Sequence, residues 1–124
     1  MNAIEVNGVT LTLPDLANAD DTDRVFGALQ KVADGANGAD IGQATTYGDQ
    51  IRAHCRLVFE CFNTVFGEGT DTKVFGGNCN LRLALESFET LGAGVRDAYQ
   101  ELSGEVSAMR SRYSPNRSER RSRR

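Results

Sequence analysis

The sequence predicts a mainly α-helical protein: an N-terminal β-hairpin, then about three helices arranged as a long antiparallel helical hairpin, then a disordered basic C-terminal tail. Three observations carry this. Apolar residues alternate around an Asn-Gly pair near the start, they recur at steps of three and four in three later segments, and the arginines collect at the end.

Residues 3–13 place Ile4, Val6, Val9, Leu11 and Leu13 in alternation about Asn7-Gly8. That pair takes the positive φ angles of a two-residue type I′ turn, so a hairpin is expected here. Pro14 ends it, because a residue without an N–H and with a fixed φ cannot continue a paired strand. Asn18, Asp20 and Asp21 offer side-chain acceptors to free helix N–H groups ahead of Val25, Phe26, Leu29, Val32, Ala33 and Ala36. The spacing predicts helix one at about 20–35. Gly35 to Gly42, with Asn37 and Gly38, has no apolar period and reads as a loop.

Thr46 with Asp49 three positions on resembles a capping box, and Ile51, Cys55, Val58, Phe62 and Val65 follow at helical spacing, widened by Phe59 and Phe66. Helix two is expected at about 46–66. Gly67, Gly69, Gly76 and Gly77 then bracket a corner in which Thr70 or Asp71 is expected to cap a single turn carrying Val74 and Phe75. Asn78 or Asn80 is expected to cap helix three, at about 80–112, whose stripe is Leu81, Leu85, Phe88, Leu91, Val95, Tyr99, Leu102, Val106 and Met109. A straight helix of that span is near 48 Å, longer than a body of about 100 residues is wide, so its distal stripe needs another surface. Gly92 and Gly94 make a bend within it the other way to shorten the overhang.

With 124 residues, the chain suits one globular domain over 1–112 with an Arg-rich tail over 113–124. Residues 1–108 carry 16 acidic and 7 basic side chains, while 109–124 carry 7 arginines against Glu119. An acidic body thus leads into a basic end. No apolar run approaches the length of a membrane span, and Met1 leads into polar residues without a signal core, which points to the cytoplasm. Cys55, Cys61 and Cys79 are an odd number with a C-x5-C-x17-C spacing that suits neither a disulfide framework nor a zinc site. They read as small core-filling thiols, and His54 as a boundary residue. Segment 66–77, FGEGTDTKVFGG, lacks the Walker order, since Lys73 is followed by Val74. No catalytic, metal or cofactor site is expected.

The arginines at 110, 112, 117, 120, 121, 123 and 124 leave three roles open: solubility, docking on acidic protein, and nucleic-acid contact. Only Tyr113 is there to stack on bases, and the acidic body repels a phosphate backbone.

The segment FECFNTVFGEGTDTKVFGGNCNLRLALESFETL, residues 59–91, resembles small proteins of bacteriophage and prophage tail-gene clusters, with Phe66 to Asn80 as its specific motif. The order of hairpin, helices, FGEGT corner and basic end YSPNRSERRSRR is similar to theirs. The resemblance implies a non-enzymatic tail assembly chaperone of long-tailed phages, working in the bacterial host cytoplasm. Its partners would be the tape measure protein and, on handover, the tail tube protein. Residues expected to meet a partner are Val95, Tyr99, Leu102 and Val106 on helix three, with Arg117, Arg120 and Arg121 in the tail, and the apolar stripe also suggests a homo-oligomer. Two alternatives from other classes are a phage nucleic-acid-binding or packaging accessory protein, and a structural tail completion or connector component.

Overall fold

The computed structural model describes residues 2–36 and 46–113. They form β1 (Ala3–Val6), β2 (Val9–Thr12), α1 (Ala19–Ala36), α2 (Tyr47–Phe66), α3 (Thr70–Phe75) and α4 (Leu81–Tyr113). The mainly helical class with an N-terminal hairpin holds, and the corner turn adds α3 as a short fourth helix.

Strands β1 and β2 pair antiparallel with Val6 opposite Val9 and Ala3 opposite Thr12. The turn uses positive φ at both Asn7 (49°) and Gly8 (79°), as a type I′ turn requires. Ile4, Val6, Leu11 and Leu13 are buried. The Asn7 side-chain amide also donates to the Val74 carbonyl at 2.7 Å, so the residue that permits the turn also ties its tip to α3.

Helix α1 starts where Asn18 Oδ1 accepts the Asp20 amide at 3.2 Å. Its buried line is Val25, Ala28 and Val32, whereas Phe26 is 40% exposed and Ala33 is exposed. Val25 and Val32 of the expected stripe are thus core, and Phe26 and Ala33, each one residue further on, are not. Gly35 belongs to the helix and not to the loop. A Cβ there would come within 2.5 Å of Leu57 Cδ2, so the Leu57 side chain of α2 lies directly on this glycine. The remainder of the expected loop, 37–42, lies outside the described residues.

Thr46 caps α2 by accepting the Asp49 amide at 3.0 Å, and the Asp49 carboxylate accepts from Arg52 at 2.7 Å. Cys55, Val58, Cys61, Phe62 and Val65 are buried along α2, with Phe62 completely enclosed. The Phe75 ring stands edge-on to Phe62 at 5.5 Å and leans on Phe59 at 4.7 Å, which fastens α3 to α2. Neither Thr70 nor Asp71 caps α3. Gly69 holds the cap position in a left-handed conformation, Thr70 Oγ1 donates back to the Gly67 carbonyl, and the Asp71 amide is accepted by Asn63 Oδ1 from α2.

Asn80 starts α4 by accepting the Leu83 amide at 3.1 Å. The helix runs 33 residues without interruption through Gly92 and Gly94. Its buried line is Ala84, Ser87, Leu91 and Val95, while Leu85, expected in the stripe, is 48% exposed. A Cβ on Gly94 would lie 2.5 Å from Ile4 Cγ2 and 3.3 Å from Leu13 Cδ1, so the hairpin rests directly on the helix backbone. From Ser103 to Tyr113 every residue is exposed, and α4 overhangs the body.

Candidate functional site

Two adjoining apolar surfaces share α4. The first is a groove between α1 and α4 lined by Phe26, Leu29, Gly92, Val95, Arg96 and Tyr99. Phe26 and Tyr99 meet edge to face across it, centroids 6.1 Å apart and planes at 89°. A Cβ on Gly92 would project into open space, so this glycine leaves the groove deeper by one methyl group. Val95 is 2% exposed and forms the floor as a core residue, which corrects its expected place among directly available contacts.

The second surface is the overhang. Tyr99, Val106, Met109 and Tyr113 are 53, 39, 51 and 74% exposed, while Leu102 is half-buried at its base, beside Pro14 and Leu16. These side chains form one apolar stripe that, beyond Leu102, no other described residue covers. Of the expected contacts, Tyr99, Leu102 and Val106 share this face, and Arg117, Arg120 and Arg121 lie outside the described residues. Sequence reasoning misses Phe26 and Leu29 because their positions in α1 read as core. It misses Tyr113 by placing it in the tail, although a further step of four from Met109 reaches it.

The titratable groups are disposed differently. Burial pushes the Cys61 thiol up to about 12, and the Cys55 thiol is also raised, by burial first and then by the nearness of Cys79. Both stay protonated and behave as small apolar side chains. Cys79 is exposed. His54 Nδ1 donates to the Gln50 carbonyl one turn back at 2.9 Å, which occupies that nitrogen within its own helix. Among the described residues, no group of three or more His, Cys, Asp or Glu could hold a metal ion, and no buried side-chain polar atom lacks a hydrogen-bond partner. None of their helices is long and apolar enough to cross a membrane.

A family of unknown function, DUF6673, matches residues 7–124. The chain belongs to that family. The DUF6673 match opens at the hairpin turn and takes in the groove, the overhang and the Arg-rich end together. No curated protein and no solved structure matches the chain.

Proposed function

We propose that this DUF6673 protein is a non-enzymatic tail assembly chaperone of a bacteriophage or prophage, acting in the bacterial host cytoplasm. It holds an apolar helix of the tape measure protein and releases it to the tail tube. The carrying observation is the open apolar groove between α1 and α4, across which Phe26 and Tyr99 meet edge to face. An amphipathic helix laid in such a groove buries its i, i+3, i+4 and i+7 side chains, a recurring mode of peptide recognition. Arg96, 66% exposed at the rim with its Nε 3.5 Å from Asp97, keeps its terminal guanidinium nitrogens as donors for an acidic side chain on that helix.

Co-expression with the tape measure protein tests this reading. A soluble complex should form after nuclease treatment, and Tyr99→Asp should abolish it while far-ultraviolet circular dichroism stays unchanged, because the ring is more than half exposed. The seven arginines over 109–124 favour a second reading, in which the tail binds nucleic acid. Nucleic-acid binding at physiological salt that is lost on deleting 114–124, with no tape measure capture, would replace the first reading by the second.

A further inference from the structure

The overhang of α4 is polarised in charge as well as apolar along one stripe. Glu101, Glu105 and Asp97, the last ion-paired to Arg96 at 3.5 Å, lie towards its base, and Arg110 and Arg112 lie at its tip. Tyr99, Leu102, Val106, Met109 and Tyr113 follow alternating steps of three and four, the spacing of a coiled-coil seam. Fourteen residues, 100–113, extend about 20 Å at 1.5 Å per residue. Neither Glu105 nor Arg112 forms an ion pair with another described residue.

We infer that two copies of this chain pair antiparallel through their overhangs, with Val106 against Met109 of the second copy, Leu102 against Tyr113, and Glu105 beside Arg112. The arrangement is two-fold and self-complementary, so each of these contacts occurs twice.

Charge selects the direction. In a parallel pair the two acidic bases lie together and the two basic tips lie together, followed by two tails that each carry five arginines and one glutamate over 114–124. Reversing one helix sets every basic tip against an acidic base and opposes the helix dipoles. Charge also selects the register. Sliding the antiparallel pair one heptad, so that Val106 meets Leu102 of the second copy, sets Glu105 against Glu105 and Arg96 against Arg110. The register with Val106 on Met109 sets Glu105 against Arg112 twice along one side of the seam. Four apolar layers make a short interface, and the pairing is accordingly weak and reversible. It is read from this chain alone and its contacts use none of the groove's lining residues, so it stands apart from the tape measure reading.

Sedimentation equilibrium of the full chain, up to high micromolar concentration, tests the pairing. A monomer–dimer equilibrium is expected. Glu105→Arg and Arg112→Glu should each weaken it roughly tenfold, since each variant turns two attractive pairs into repulsive ones. The double variant should restore it. Residues 105 and 112 are seven apart, too far to pair within one helix, so restoration reports contact between copies. In a Cys79→Ser background, mixing the Val106→Cys and Met109→Cys variants under mild oxidation should give the mixed disulfide dimer in preference to either homodimer. A monomer throughout, a strengthened dimer with Arg112→Glu, or a preference of the Val106→Cys variant for disulfide linkage to itself would overturn the proposal.

Discussion

The two halves of α4 carry the same kind of apolar stripe and meet opposite fates. In the proximal half, Leu91 and Val95 are enclosed, 0 and 2% exposed, beneath the hairpin and beside α2. In the distal half, Val106 and Met109 repeat the pattern and are 39 and 51% exposed, with no strand or helix of the described residues above them. Periodicity therefore sets which face of the helix is apolar, and the placement of the hairpin decides where that face becomes core. The hairpin is placed by small residues. Gly94 lets Ile4 and Leu13 settle on the helix, and beyond residue 102 no described residue takes over that role.

Matched substitutions on the one helix break the comparison most directly. Val95→Ser should cost roughly 2–4 kcal/mol, combining lost apolar burial, a residual cavity and a buried hydroxyl. A urea melt showing a lowered midpoint with unchanged slope checks it. Next in size is a pair of glycines with expected effects of opposite sign. Gly94→Ala forces a Cβ to within 2.5 Å of Ile4 Cγ2, a branch that cannot swing away without moving the strand. The overpacking should outweigh the gain in helix propensity and leave a net loss of about 1–2 kcal/mol. Gly104→Ala meets nothing within 4 Å, and in an exposed helix interior it should raise local stability by about 0.5–1 kcal/mol, read as slower amide exchange from 100 to 110. If both substitutions destabilise, the overhang is packed and the contrast fails.

The parts of this fold legible in the sequence are those governed by local chemistry. Asn7-Gly8, Thr46 and Asn80 act within three residues of themselves, and the structure places each as its neighbours imply. What could not be read is decided by contact at a distance. The start of α3 takes its acceptor from Asn63, eight residues back on another helix, which no capping pattern around Thr70 can reveal. Ala84 and Ser87 are buried where Leu85 is half-exposed, because close approach selects small residues while a hydropathy pattern picks large ones. For the same reason Phe26, apolar and in a plausible phase, is an exposed groove wall and Ala28 is core. The exposed stripe is itself legible, through the excess of helix length over body width. Which of its residues stay open depends on where the hairpin ends, and Val95 falls inside that limit.

The smallest effect expected is the most discriminating. Val106→Ser makes the same chemical change as Val95→Ser, eleven residues, or about three turns, further along nearly the same face of the helix. In dilute protein, where the chain is monomeric, the side chain has little burial to lose, and stability should change by less than about 0.5 kcal/mol. The matched pair thus converts a difference in exposure into a difference in free energy on a single element, with backbone, composition and chemistry held constant. A loss at Val106 approaching that at Val95, and independent of protein concentration, would mean that the chain itself covers the overhang, and both the docking surface and the self-pairing would have to be abandoned. A loss that grows with protein concentration would instead locate the missing cover on a second molecule, because only association makes apparent stability depend on concentration.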